Sequence, residues 1–306
     1  MKILFILDNL SDLNPLKDTS LRLIDACLNL KLQTYICQQQ NFTYDNNRLK
    51  CLAKKVTSSK RLTLKLTNNV VLKDTDISLI FIRKDPPFNR DYLFLCHLLS
   101  LIEKHVKIVN LPSSLKNFNE KLITLNFKKI TPPTLISSNK IEINKFLLKN
   151  KNIVCKPIDE MAGNKIFKLN NKDVNKNSIF EILTQDYTAP AVFQKFIPEI
   201  IKGDKRILIV NGIPLPYGVL RIPSKDDFRG NLAKGGSPKL FKLSSHDHAI
   251  VNKINSLLIK EKLLFVGIDI IGNYLTEINI TSPTGLREIE KLSKKQFAEK
   301  IITDLL

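Results

Sequence analysis

The sequence predicts an α/β protein: a mainly parallel, doubly wound sheet at its N-terminal end, followed by α+β lobes. Three observations predict it. Short apolar runs alternate with helical patterns through the first third of the chain; the character changes after Pro132 and Pro133; and β-type runs flank an Asn-Gly pair at Asn211–Gly212. A length of 306 residues with 43% hydrophobic and 25% charged content supports two or three packed units and argues against wholesale disorder.

KILFIL at the N-terminus reads as a buried strand, and the loop DNLSDLNPLKDTS leads into a helix from about Leu21 to Leu30, where Leu21, Ile24, Leu28 and Leu32 recur at helical spacing. DISLIFIRK from Asp76 is a second strand, DYLFLCHLLSLIEKH a helix, and KIVNLP a third strand. Parallel sheets of this kind bind ligands beyond the carboxyl ends of their strands, which makes the loops at Asp8 and Arg83 site candidates. After the prolines, NIVCKPI, KIFKLN and AVFQKFI surround the helical NSIFEILTQ, predicting a small α+β lobe from about Thr131 to Ile197. KRILIVNGIPLPYGVLRI is a hairpin with its turn at Asn-Gly. A polar, glycine-rich loop, PSKDDFRGNLAKGGSPK, buries too little to be rigid and is a lid candidate.

The formal charge is +19, but the lysines are spread through runs such as NNKDVNKNSIF rather than gathered in a stripe, so nucleic acid is disfavoured and a small phosphate-bearing ligand fits. Five cysteines without a CxxC pair indicate neither a zinc site nor a disulfide framework, and point to reduced thiols in a cytoplasmic protein. His246 and His248 in HDH read as an exposed helix start. No apolar segment is long enough to span a membrane, and MKILFIL is too short for a secretory signal.

Chemistry concentrates in FVGIDIIGNYLTEINITSPTGLREIE, where Asp269, Glu277 and Asn279 interrupt apolar, β-branched neighbours. Glu277 and Asn279 share a strand face. Asp269 joins it if Ile271 pairs with Leu275 across a three-residue turn; a two-residue Gly-Asn turn puts it on the other side. Such oxygen donors suit Mg²⁺ better than zinc, with a chance polar face as the alternative. Lys121 in NFNEKL is a second lysine of interest beside Lys156, which lies mid-strand next to Cys155 and Pro157 and calls for an anionic partner, and DEMAGNK, with its single Gly163, is a weak phosphate-cradling loop. Arginines are few among the lysines, yet Arg206, Arg221, Arg229 and Arg287 fall in the last third, and the planar fork of arginine binds phosphate and carboxylate bidentately.

Taken in order, IRKDPPF, NLPSSLKNFNEKL, KPIDEMAGNKIF, GDKRILIVNGIPLPYGVLRIP, RGNLAKGG and FVGIDIIGNYLTEINITSP with LREIE resemble the bacterial-type glutathione synthetases, of the ATP-grasp ligase superfamily, over nearly the whole chain. The resemblance implies an N-terminal Rossmann-like substrate domain (1–120), an ATP-grasp lid subdomain (121–197), and a C-terminal ATP-grasp subdomain (198–306) with the metal site and a mobile loop (222–238), the two lobes enclosing ATP. It implies ligation of γ-glutamylcysteine and glycine through an acyl phosphate, with two Mg²⁺ (Mn²⁺ as a substitute) and a homo-oligomeric state. Another carboxylate–amine ligase, or a weakly active or non-catalytic relative, is the alternative.

By the same resemblance Asp269, Glu277 and Asn279 hold metal. Lys121, Lys156, Gly163, Gln194, Lys195, Phe196, Ile197 and Asp204 bind ATP; Arg206, Arg221 and Arg229 are catalytic; and Arg83, Ser282, Thr284 and Arg287 receive substrate carboxylates. One departure stands out. The family's DGMGG loop is DEMAG here, and if Glu160 and Ala162 require positive φ the loop is strained and ATP binding weakened, with Lys165 offsetting part of the added charge. Ser237 also replaces a second lid arginine.

Overall fold

The computed structural model describes residues 1–60, 63–160 and 163–306. The first unit contains β1 (Lys2–Ile6), α1 (Thr19–Asn29), β2 (Gln33–Cys37), β3 (Phe42–Asp45), β4 (Arg48–Lys60), β5 (Thr63–Lys73), β6 (Leu79–Ile82), α2 (Arg90–Ser100), β7 (Lys107–Val109) and α3 (Pro112–Asn117). Its sheet has the order β3-β4-β2-β1-β6-β7, with β5 on β4. The expected parallel part is β2-β1-β6-β7. From β1 the chain winds through α1 to β2 on one side, and from β6 through α2 to β7 on the other, so the winding reverses between β1 and β6.

The antiparallel extension β3-β4-β5 is a difference from the expected sheet. Its signal is present in the alternation of buried Leu49, Cys51 and Ala53 with more open Lys50, Leu52 and Lys54. A register shift between Lys54 and Val56 then keeps Val56 inward although the alternation changes phase.

The middle lobe contains β8 (Thr134–Ser137), α4 (Lys140–Asn150), β9 (Asn152–Lys156), β10 (Phe167–Asn170), α5 (Lys176–Thr184) and β11 (Ala191–Lys195), its sheet running antiparallel in the order β10-β9-β11-β8. Asn139 caps α4 by accepting from the Ile141 and Glu142 backbone N–H groups. Period-two alternation sends Ile153, Cys155 and Phe193 into a small core with Ile143, Leu147 and Phe180. Val154, Lys156 and Gln194 fall on the opposite face, toward the cavity described below.

The last unit contains β12 (Asp204–Val210), β13 (Ile213–Pro214), β14 (Tyr217–Ile222), β15 (Ser237–Lys242), α6 (Ser245–Lys260), β16 (Phe265–Ile271), β17 (Tyr274–Asn279), α7 (Leu286–Ser293) and α8 (Ala298–Leu305). Asn211 and Gly212 take positive φ of 47° and 78°, the left-handed pair that a two-residue hairpin turn needs. Ser244 and Asp247 form a reciprocal cap on α6, with His246 and His248 exposed beside it as expected.

The middle lobe has a core of its own, while the first and last units share theirs. Leu4, Ile80, Tyr92 and Leu99 cluster with Ile207, Ile254, Val266 and Ile278. Phe5, Phe81 and Leu23 cluster with Val210, Phe265, Ile302 and Leu305. Among the described residues all five cysteines are free and buried, and no helix is long and apolar enough to cross a membrane.

Candidate active site

Asp269 lies directly opposite Glu277, and Gly267 opposite Asn279, so the three oxygen-bearing side chains share one face of β16–β17. The route differs from the expected one. Ile271 pairs with Tyr274 across the two-residue turn Gly272–Asn273, and a bulge on the β17 side places an extra residue, Thr276, between Leu275 and Glu277. That extra residue restores the phase which the short turn alone would have reversed.

The same face continues across β12 and β14. Arg206 is opposite Asp269, and Asp204 opposite Arg221. Arg206 donates from Nε (2.5 Å) and Nη2 (2.9 Å) to the two oxygens of Asp269, and from Nη1 to the Thr284 carbonyl at 3.2 Å. Arg221 Nη2 contacts Asp204 and lies 3.0 Å from Asp269 Oδ2. Burial alone would raise the Asp269 carboxyl; the two guanidiniums outweigh it and hold the group well below the usual carboxylate range. Asp204 goes the other way. Burial pushes it up to about 7, against the pull of Arg221 and with help from its neighbour Asp269. Its Oδ1 is buried with no hydrogen-bond partner, as is Nε of Arg221.

Facing this row across a cavity of about 450 Å³ are the middle lobe and the loop between β14 and β15, the lid candidate of the sequence. Lys156 on β9 is 8% exposed, and its ammonium is depressed by burial, with Glu277 opposing. Lys121 Nζ donates to the backbone carbonyls of Ile158 (3.1 Å) and Glu160 (2.5 Å) and stands 3.9 Å from Glu277. Gln194, Lys195, Phe196 and Ile197 line the end of the cavity where the middle lobe joins the last unit, Gln194 donating to Thr134 Oγ1 at 2.9 Å.

The small loop is not strained at Glu160, which is not among the residues of positive φ; Ala162 lies outside the described residues. Glu160 is instead paired with Lys165 at 2.7 Å. Gly163 does need its freedom: φ is +77°, and a Cβ there would stand 2.8 Å from Asn231 Oδ1. The lid loop meets the small loop at this point, since Arg229 Nη1 donates to the Gly163 carbonyl at 2.8 Å while its other nitrogens pair with Asp227.

At the far end the cavity reaches the winding reversal of the first unit, through Lys17, Asp18, Asp85 and Pro86, and meets Ser282, Thr284 and Glu288. Asp8 accepts from Lys84 Nζ (2.9 Å) and from the Asp85 N–H (2.7 Å), which fixes this loop. Burial raises the carboxyls of Asp85 and Glu288.

The structure thus brings together sixteen of the eighteen sequence-predicted site residues around one cavity, and two stand apart. Arg83 is 3% exposed and bonded to Ser20 Oγ and the Pro283 carbonyl, beneath the cavity wall. Arg287 lines a different cavity. Sequence reasoning missed Glu120, whose half-buried carboxylate accepts from the Ile280 N–H, the Thr281 N–H and the Thr281 hydroxyl (2.7–2.9 Å) and so holds the chain just beyond Asn279. It also missed Phe228 of the lid loop, set edge-on to Phe196 at 6.4 Å, with Lys168 Nζ 4.1 Å from the Phe196 ring centre. An acid next to a predicted site lysine, and an aromatic in a polar loop, were the available signals.

The donor set fits a hard divalent cation that shares its shell with phosphate. Among the described residues no three His, Cys, Asp or Glu side chains make a cage of their own. Asp269, Glu277 and the Asn279 amide supply oxygen from one side only, as is usual for Mg²⁺ held jointly by protein and nucleotide. Asp204 beside them is raised chiefly by burial, with Asp269 and Glu277 adding to the rise and the arginines opposing it.

The profile of the prokaryotic glutathione synthetase N-terminal domain matches residues 1–116, and that of the prokaryotic glutathione synthetase ATP-grasp domain matches residues 120–294. Similar curated proteins include the glutathione synthetases of Prochlorococcus marinus subsp. pastoris (38% identical, covering 100% of this chain and 99% of that protein), Buchnera aphidicola subsp. Baizongia pistaciae (41%, 94% and 90%) and Coxiella burnetii (37%, 100% and 96%). Among solved structures the fold is shared with a D-cycloserine synthetase (TM-score 0.68, 9% identity, 99% and 98% coverage) and with an ATP-grasp ligase bound to a minimal precursor (TM-score 0.64, 15%, 99% and 97%).

Proposed function

The chain belongs to the prokaryotic glutathione synthetase family, and from that premise we propose how its cavity divides the work of ATP-dependent glutathione synthesis. The reaction joins the cysteinyl carboxylate of γ-glutamylcysteine to the amine of glycine. A carboxylate is a poor acyl donor, so it first takes the γ-phosphoryl group of ATP, and the amine then displaces phosphate.

Lys156 and Lys121 hold the nucleotide's phosphates, with the small loop at Gly163 as the backbone cradle. The base lies against Gln194–Ile197, covered by Phe228. Asp269, Glu277 and Asn279 would hold two Mg²⁺, or Mn²⁺ in their place, which would supply charge neutralisation for the phosphates. Arg206 and Arg221 are positioned by Asp204 and Asp269 before substrate arrives, so their charge meets the transferring phosphoryl group without reorganisation. Arg229 closes the lid onto the small loop and excludes water from the acyl phosphate. Ser282, Thr284 and Glu288, facing Lys17 and Asp85, receive the zwitterionic γ-glutamyl end.

One observation carries the reading: an unbroken charged face, Asp204, Arg206, Arg221, Asp269, Glu277 and Asn279, opposes Lys156 and Lys121 across a single cavity. Phosphate release from ATP tests it. Release that requires both γ-glutamylcysteine and glycine is expected. Release with a different amine would reassign the acceptor, and no release from folded protein would overturn the reading.

A further inference from the structure

Glu120, in the segment after α3, lines the active cavity with only one of its two oxygens engaged. Its Oε1 takes all three donors from the chain beyond β17: the Ile280 N–H, the Thr281 N–H and the Thr281 hydroxyl. The Glu120 carbonyl accepts from the Ile278 N–H at 3.0 Å, and Asn110 Nδ2 donates to the Ile280 carbonyl at 2.6 Å, so this stretch of chain is held from two sides. Oε2 has no donor among the described residues and opens on the cavity instead of being sealed in its wall. The adjacent Lys121 does not neutralise it, since Lys121 Nζ turns to the Ile158 and Glu160 carbonyls.

A half-buried carboxylate with a free oxygen gains most from a charge-assisted hydrogen bond to a cation. Its position says which cation. Ile280 and Thr281 stand between Asn279, at the metal end of the cavity, and Ser282, at the γ-glutamyl end. The acyl carbon lies between the same two ends, because its carboxylate is phosphorylated at one while its γ-glutamyl group is received at the other. Glycine, which attacks that carbon, brings an ammonium at neutral pH.

We propose that Glu120 Oε2 receives the amino group of the acceptor and aims it at the acyl phosphate, so that Glu120 selects an ammonium-bearing acceptor. The proposal rests on the division of the cavity given above. The ammonium of the donor is received elsewhere, beside Asp85 and Glu288.

Comparing glycine with hydroxylamine as acceptor, in the presence of ATP, Mg²⁺ and γ-glutamylcysteine, is the test, because hydroxylamine is largely uncharged at neutral pH. In Glu120→Gln, which keeps an oxygen for Ile280 and Thr281, kcat/KM for glycine is expected to fall roughly 10- to 150-fold, the range of one charge-assisted hydrogen bond, while hydroxamate formation stays near that of the parent. Glu120→Asp, which keeps the charge, should retain more of the glycine reaction than Glu120→Gln. Thr281→Val, which removes one donor to Oε1 and leaves Oε2 alone, should change both reactions alike. Unchanged glycine kinetics in Glu120→Gln would overturn the proposal, and so would equal loss with both acceptors, which would mark Glu120 as a metal ligand or as a residue that only holds the chain. A parent protein that forms neither product overturns the reading of the cavity, and this proposal with it.

Discussion

The parallel strands β1 and β6 and the antiparallel strands β12 and β16 solve different problems with similar residues. On β1, Ile3, Leu4, Phe5 and Ile6 are all fully buried, because helices cover both faces of the sheet and leave no position for charge. On β12 and β16, Ile207, Ile209, Ile268 and Ile270 enter the core, while Arg206 and Asp269 on the other face are no more exposed than core residues. That face is roofed by the middle lobe and the lid rather than open to water. Charges buried there are paired with one another, Arg206 with Asp269 and Arg221 with Asp204 and Asp269.

Paired substitutions would break this contrast most directly. Asp269→Asn is expected to cost about 3–5 kcal/mol of stability by leaving two arginines buried with too little negative charge, and to lower kcat by roughly 10³-fold or more. Phe81→Ala in the parallel sheet should cost a similar amount, about 3–5 kcal/mol, with turnover per folded molecule nearly unchanged. Urea denaturation and phosphate release, measured on both variants, check the pair; equal kinetic losses would erase the distinction. Next in size, Arg221→Lys retains charge but loses the planar fork, and kcat should fall roughly 10²-fold with a smaller change in KM for ATP.

The charged face should also carry a pH signature that the parallel sheet lacks. Asp204 is raised from the ordinary aspartate range to about 7 in the folded protein, so the folded state binds more protons than the unfolded one between those values. Its contribution is therefore present at low pH and lost as pH rises through about 7. Asp269, depressed by its arginines, contributes in the opposite sense, and that contribution is lost only in strong acid. Stability measured at pH 5 and at pH 8 should differ less in Asp204→Asn than in the parent. Nucleotide and Mg²⁺ binding near pH 7 should release protons, detectable in buffers of different ionisation enthalpy.

Smaller effects sharpen the picture at the cavity's edges. Phe228→Ala should raise KM for ATP by roughly 2- to 12-fold, the range set by one aromatic pair, with kcat little changed. Glu160→Gln should lower KM for ATP by about twofold, in keeping with a partly exposed, Lys165-paired charge. A large gain in that variant would show that the departure in the small loop matters more than its geometry indicates.

Much of this was legible in the residues, for reasons that also explain what was not. Asn211–Gly212 and the apolar runs of β1 and β6 are local signals, and local structure followed them. The β4–β5 ribbon was overlooked because lysine and asparagine fill its outward positions and a bulge breaks its alternation. The shared face of Asp269 and Glu277 was anticipated through the wrong turn, since a bulge at Thr276 leaves no mark in composition. Arg83 and Arg287 looked like the other arginines in sequence, and only packing separates a wall-bearing guanidinium from one that faces the cavity. Glu120 acts through backbone N–H groups 160 positions away, a distance no motif spans.

The interleaving of α8 with the parallel sheet has a consequence for how the polypeptide is born. Ile302 and Leu305 complete the layer that covers Phe5 and Leu23, yet they leave the ribosome about 300 residues later. At about 5–20 residues per second, one side of the earliest strand waits roughly 15–60 s for its cover, an interval in which a nascent-chain chaperone would find its binding surface. A gene split near codon 197 should accordingly yield a sticky first fragment that clears only when the second is co-expressed.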